Sequence, residues 1–198
     1  MRKLGRWGRW VLLATVLLVG SATAQQTGTF TDSRDGQTYK TVAIGGKMWM
    51  AENLNYKKGK SWCYDNNNSN CGKYGRLYDW ETAKSVCPSG YHLPSRQEWD
   101  NLVTAVGGKD AAGKKLKARS GWNSNGNGTD EYGFSALPGG YRGSVGSVFK
   151  AGNFGLWWTA TEADADDAYN RYIYYNYYNA DEDYNGKSSG LSVRCVED

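Results

Sequence analysis

The sequence has one histidine, four cysteines and no internal repeat, and each scarcity removes a class of explanation. A lone histidine in a turn, His92 beside Leu93 and Pro94, reads as structural before it reads as catalytic. The cysteines Cys63, Cys71, Cys87 and Cys195 contain no CxxC pair, which argues against a four-cysteine zinc site. No segment is long enough to link two domains. The one long apolar run, "WVLLATVLLVG" from Trp10, is about half of the roughly 20 residues a membrane-spanning helix requires.

That run has the setting of a secretory signal peptide. Arg2, Lys3, Arg6 and Arg9 precede it with no acid among them, and Ala22-Thr23-Ala24 supplies the small residues a signal peptidase reads. Residues 1–24 are therefore expected to be removed, leaving a secreted or extracytoplasmic protein, in the periplasm or at the cell surface, with no stable membrane insertion. No cysteine lies near the cleavage site to carry a lipid. The four basic residues of the leader account for the whole surplus of 24 Lys and Arg over 20 Asp and Glu, so the remaining chain is formally neutral and a nucleic-acid partner is not expected.

An even number of cysteines in an exported chain argues for disulfides. Cys63 and Cys71 bracket the polar loop "YDNNNSN", which a local bridge would close, and that leaves Cys87 for Cys195. The many glycines and asparagines imply turns and short strands, so the fold class expected is α+β. A hairpin is read in "YKTVAIGGKMWM". Two helices follow: "GRLYDWETAKSVCP", with Leu77, Trp80, Ala83 and Lys84 at helical spacing, and "LPSRQEWDNLVTAVGG". In the second, Ser95 and Glu98 form a capping box and Trp99, Leu102, Val103 and Val106 form one apolar stripe ahead of Gly107. A short helix is read in "AAGKKLKAR", and strands in "GFSALPGGYR", "LWWTATE", "RYIYYNYYN" and "GLSVRCVE". The N- and C-terminal strands are expected as neighbours.

The stretch "YNRYIYYNYYNADEDYN", residues 169–185, is the least ordinary part of the chain, with seven Tyr and four Asn among its seventeen residues. Linkers are poor in aromatics and cores are poor in Asn. Ile173 is its one large aliphatic side chain. In a half-buried strand Ile173 would take Arg171, Tyr175 and Tyr177 inward, leaving Asn170, Tyr172, Tyr174, Asn176 and Tyr178 outward. With Asp181, Asp183 and Asn185 these are the candidate ligand-binding residues, because Tyr gives large amphipathic contact at low entropic cost and Asn gives adaptable hydrogen bonding. A glycan or a surface protein is the expected ligand.

The series "WMAENLNY", "YGRLYDWETAKSVCPSGYHLPSRQEWDNL", "DEYGFSALPGGYR", "WWTATE" and "SVRCV" resembles the Fibrobacter succinogenes major paralogous domain over roughly residues 30–196, leaving 25–29 as a short N-terminal extension and 30–198 as one domain. That family is similar in turn to the C-type-lectin-like fold and its formylglycine-generating-enzyme branch, through "HLPSRQEWD". The resemblance implies two helices packed on short, irregular antiparallel sheets, and a long-range disulfide that Cys87–Cys195 would supply. Lectins, enzymes and adhesins all use this fold, so it does not settle function.

An oxidase of the formylglycine-generating type would need a late pair of redox-active cysteines, and only Cys195 is late, so no catalytic residue is assigned. A passive structural domain of the cell envelope is the other alternative. No cofactor is expected. The calcium-binding signatures of sugar-binding lectins are missing, and the clusters Asp164/Asp166/Asp167 and Asp181/Glu182/Asp183 would support weak Ca²⁺ binding at most. Residues 168–187 also resemble the variable patch of C-type-lectin-like proteins diversified by retroelements.

Overall fold

Threonine and other β-branched residues dominate the start of residues 25–198, the part of the chain that the structure, a computed structural model, describes. The signal-peptide reading lies outside the described residues. Strands β1 (Thr27–Thr31), β2 (Thr38–Ile44) and β3 (Lys47–Met50) form an antiparallel meander. The β2–β3 turn is Gly45-Gly46 with φ of 62° and 81°, the left-handed pair that a two-residue hairpin requires. Thr27–Thr29 thus belong to a strand, where the sequence reading had an extension.

Next come β4 (Ser61–Trp62), α1 (Asn68–Tyr74), β5 (Leu77–Tyr78), α2 (Trp80–Val86), β6 (Tyr91–His92), α3 (Arg96–Ala105) and α4 (Lys109–Leu116). Ser95 and Glu98 make the expected capping box on α3. Helix α2 starts later than its periodicity suggested, because the Asp79 side chain accepts from the Thr82 backbone N–H and caps it, and Leu77 is in a strand. Helix α1, which begins inside the Cys63–Cys71 loop and continues to Tyr74, was not anticipated; Asn67 caps it by accepting from Ser69 N–H. The fold has four α-helices among the described residues, two beyond the pair that the resemblance implied.

The second half contains β7 (Tyr141–Arg142), β8 (Val148–Phe149), β9 (Phe154–Glu162), β10 (Asp167–Tyr174), β11 (Ala180–Gly186), β12 (Leu191–Ser192) and β13 (Val196–Glu197). Of "GFSALPGGYR" only its last two residues are a strand, since the segment runs through isolated bridges at Ala136 and Gly140. The strands form a sheet ordered β1-β2-β3-β13-β6, a larger one ordered β11-β10-β9-β12-β5-β4, and the β7–β8 hairpin. The last strand, β13, inserts between β3 and β6, so the C-terminus does pair with the N-terminal meander, though not with β1.

Two apolar clusters fill the interior. One gathers Trp49, Trp99, Phe134, Trp157, Ile173 and Val196 between the sheets and α3/α4, with Trp99 at 5.0 Å from Trp49 and 6.0 Å from Trp157 between ring centroids. The other gathers Tyr78, Trp80, Trp158, Ala168 and Cys195 around α2. Cys63 is bonded to Cys71 and Cys87 to Cys195, and no cysteine among the described residues is free. Among the described residues no helix is long and apolar enough to cross a membrane.

The two bridges close loops of 8 and 108 residues. Chain entropy makes the longer one worth about 5 kcal/mol and the shorter about 2.5 kcal/mol. Urea unfolding of the Cys87→Ala/Cys195→Ala protein is therefore expected to show the larger loss of stability, and the Cys63→Ala/Cys71→Ala protein the smaller.

Candidate functional site

Strand register decides which side chains share a surface. Directly paired residues point to the same face. Tyr172 pairs with Leu156 and Asp181, Tyr174 with Phe154, Asn170 with Trp158 and Asp183, and Ala168 with Asn185. These make one face of the large sheet. The other face carries Trp157, Arg171, Ile173, Ala180 and Glu182 and packs on α3 and α4. There Arg171 is ion-paired to Asp100, and Arg96 Nε donates to Glu182 Oε2 at 2.7 Å.

On the first face a cleft of about 460 Å³ lies between the sheet and the β7–β8 hairpin, lined by Phe154, Leu156, Tyr172, Tyr174, Tyr177, Asp183 and Asn185, with Tyr141 and Lys150 on the hairpin side. Phe154 is the centre of its aromatic floor, 4.3 Å from Tyr174 and 6.2 Å from Tyr172, and Tyr177 meets Tyr174 edge-on at 5.3 Å. Tyr141 stacks on Phe149 at 5.3 Å and stiffens the opposite wall. Asp183 has no ion-pair partner among the described residues. Partial burial, reinforced by the Asp181 and Asp183 carboxylates, pushes the Tyr172 hydroxyl above its ordinary pKa, and partial burial also raises that of Tyr174. Both are neutral hydroxyls at physiological pH, able to donate and accept.

Of the eight candidate binding residues, the structure brings Tyr172, Tyr174, Asp183 and Asn185 into this cleft. Asn176 and Tyr178 line a separate hollow of about 160 Å³ beside Lys114 and Lys117. Asp181 turns to the sheet edge, 2.6 Å from Lys109 Nζ. Asn170 is a correction: it is 0% exposed, not outward, because the α2-side core covers its end of the face. It donates through Nδ2 to Asn185 Oδ1 at 2.9 Å, so it orients a cleft residue from beneath. Tyr177 is the second correction, 54% exposed where alternation had placed it inward, because β10 ends at Tyr174 and period two ends with it. Arg171 and Ile173 are buried as expected, and Tyr175 packs against the core. Phe154, Leu156, Tyr141 and Lys150 were not anticipated. Only their pairing and hairpin geometry bring them to the cleft.

In the acidic clusters Asp164, Asp181 and Glu182 are engaged by the protein's own groups. Asp164 Oδ1 accepts from the backbone N–H of Asp166 and of Asp167, and Lys187 Nζ donates to the carbonyls of Asp164 and Ala165. Glu182, adjacent in sequence to Asp181 and Asp183, points to the other face and pairs with Arg96. Among the described residues no group of three or more His, Cys, Asp or Glu side chains is arranged to hold a metal ion. His92 lies between Asp198 (Nδ1 to Oδ1, 2.7 Å) and Glu98 (Nε2 to Oε1, 2.9 Å), joining the C-terminus to α3 and away from the cleft.

The model of the Fibrobacter succinogenes major domain matches residues 42–197. The chain belongs to this family. The match runs from within β2 to β13 and includes every cleft residue of this major domain. No curated protein and no solved structure shows significant similarity to the chain.

The burial pattern sets stability expectations for this major domain. In denaturant titrations Tyr177→Ala and Tyr178→Ala, at exposed positions, are expected to change stability by no more than about 0.5 kcal/mol, whereas Ile173→Ala costs about 2 to 5 kcal/mol.

His92 adds a pH dependence. Burial disfavours its charged form, but hydrogen bonds to Asp198 and Glu98 outweigh burial and raise the pKa above 6.5. A raised folded pKa stabilises fully below the unfolded value and is lost as pH rises through the folded one. Stability of the wild type is thus expected to fall across that interval, and His92→Gln to flatten this part of the profile in unfolding curves taken at successive pH values.

Proposed function

We propose that this major domain is a secreted or surface-exposed, non-catalytic binding module that takes a carbohydrate in the cleft over β9, β10 and β11. The observation that carries the reading is the floor of Phe154, Tyr172 and Tyr174 with an unpaired carboxylate, Asp183, and an oriented amide, Asn185, at its rim. Sugars have an apolar face that stacks on rings and hydroxyls that bond to carboxylates and amides, and this cleft offers both kinds of contact side by side. Its volume lies within the range of roughly 300 to 1,000 Å³ common for ligand pockets.

An extracytoplasmic setting fits two disulfides in a small domain. A C-type-lectin-like fold fits the bridge from the end of α2 to the C-terminal segment, with the terminal strands paired. Binding without calcium is favoured by the engagement of Asp164, Asp181 and Glu182 with the protein's own turn and cations. The oxidase alternative is disfavoured because Cys195 is committed to Cys87.

The test is a glycan array followed by affinity electrophoresis against the polysaccharides it identifies. The purified protein is expected to be retarded, and retardation to persist in EDTA. Tyr172→Ala and Tyr174→Ala are each expected to weaken binding at least about tenfold, as for an aromatic anchor. Equal binding by these variants would overturn the cleft as the site. Tyr174-dependent capture of a surface protein, with no glycan bound, would replace carbohydrate by protein as the ligand.

A further inference from the structure

The turn between β10 and β11, residues 175–179, is held from below by contacts to its main chain. Lys117, which follows α4, is 1% exposed and has no carboxylate partner among the described residues. Its Nζ donates to the carbonyl oxygens of Tyr175 at 2.8 Å, Tyr177 at 3.0 Å and Tyr174 at 3.3 Å. The Lys114 backbone N–H takes the next carbonyl, that of Tyr178, at 3.0 Å. Glycines permit the approach: a Cβ on Gly113 would stand 2.1 Å from the Asn179 carbonyl oxygen, and one on Gly126 would stand 2.3 Å from that of Tyr175. The side chains of Asn176, Tyr177 and Tyr178 make none of these bonds, and all three are exposed.

A buried ammonium without a counter-ion is costly unless oxygen dipoles surround it. Here the turn supplies those dipoles, so the lysine and the turn require each other. Burial lowers the Lys117 pKa to about 8, which still leaves the charged form in the majority at neutral pH.

We propose that Lys117 is a positioning residue: its ammonium clamps the main chain from Tyr174 to Tyr177, sets the Tyr177 ring against Tyr174 as the end wall of the cleft, and leaves the side chains at 176–178 exchangeable without loss of the turn. The importance of this clamp for binding rests on the cleft reading, but the clamp itself does not.

Amide hydrogen exchange of the purified protein reads the clamp without any ligand. The reporters are the Tyr175 amide, bonded to the Asn153 carbonyl at 2.8 Å, and the Tyr177 amide, bonded to that of Tyr174. In Lys117→Ala both are expected to exchange at least about tenfold faster, with the Trp99 amide of α3 unchanged, as for a local opening. Propylammonium, which replaces the atoms removed, should restore slow exchange, while propanol should not. Lys117→Met, which keeps the volume, should exchange like the alanine variant. The triple variant Asn176→Ser/Tyr177→Ser/Tyr178→Ser should keep the Tyr175 amide within about twofold of wild type. Unchanged exchange in both Lys117 variants, equal rescue by propanol, or a loosened turn in the triple variant would overturn the clamp. A Lys117-dependent turn in a protein whose Tyr174→Ala variant still binds glycan supports the clamp and overturns only the cleft reading.

Discussion

Arg194 is a fully buried guanidinium with no carboxylate partner among the described residues, and the assembly of the whole domain depends on satisfying it. Its Nε donates to Asn53 Oδ1 at 2.8 Å, Nη1 to the carbonyl of Phe134, and Nη2 to that of Ser135 at 2.8 Å, while its plane lies over the Phe134 ring at 4.2 Å. Asn53 is used to capacity as well. Its oxygen also accepts from Trp157 Nε1 at 2.8 Å, and its Nδ2 donates to the carbonyl of Tyr74 and to Ser192 Oγ. Burial lowers the Arg194 pKa to about 9, so the group remains charged at neutral pH. Removing one partner would strand a buried charge, which is far more damaging than the net worth of the bond. One polar knot therefore holds the segment after β3, the loop before β7, the middle of β9 and the C-terminal segment in a single arrangement. The neighbouring Cys195–Cys87 bridge fastens the same segment to the end of α2.

Around this knot the large sheet has two unlike faces. One is fixed to α3 by apolar packing and by the pairs Arg171–Asp100 and Arg96–Glu182. Because that face carries one core and the ion pairs, and the second core buries Trp158, Ala168 and Asn170 on the opposite face, the part of that opposite face with Phe154, Tyr172 and Tyr174 can stay half-open without loss of the fold. At the end of β10 nearest the turn, stability and surface chemistry are thus divided between alternate residues, Arg171 and Ile173 inward and Tyr172 and Tyr174 toward the cleft. The division persists into the β10–β11 turn, where carbonyls hold the structure and side chains face solvent.

Parts of the architecture were readable because their causes are local. The capping box of Ser95 and Glu98, the Gly45-Gly46 hairpin and the apolar stripe of α3 each lie within a few residues of sequence. The cysteine pairing was readable from spacing, since one short polar loop leaves a single partner for each remaining cysteine. Within β10, Ile173 correctly set the inward phase for Arg171. The same alternation failed at Asn170, where a second core covers the outer face, and after Tyr174, where the strand ends.

An α+β chain with a capped helix, a glycine hairpin, four cysteines in two bridges and a Tyr/Asn-rich strand is legible from the residues alone. Folding alone settles which of those tyrosines share a cleft, that Phe154, Leu156 and the β7–β8 hairpin complete it, and that Lys117 and Arg194 are buried charges satisfied by carbonyl and amide oxygens. The reason is distance along the chain. Lys117 meets its carbonyls 57 to 60 residues away, and Arg194 meets Asn53 and Met50 at separations of 141 and 144. No local periodicity encodes which carbonyl will stand opposite a lysine or an arginine once the sheets have closed.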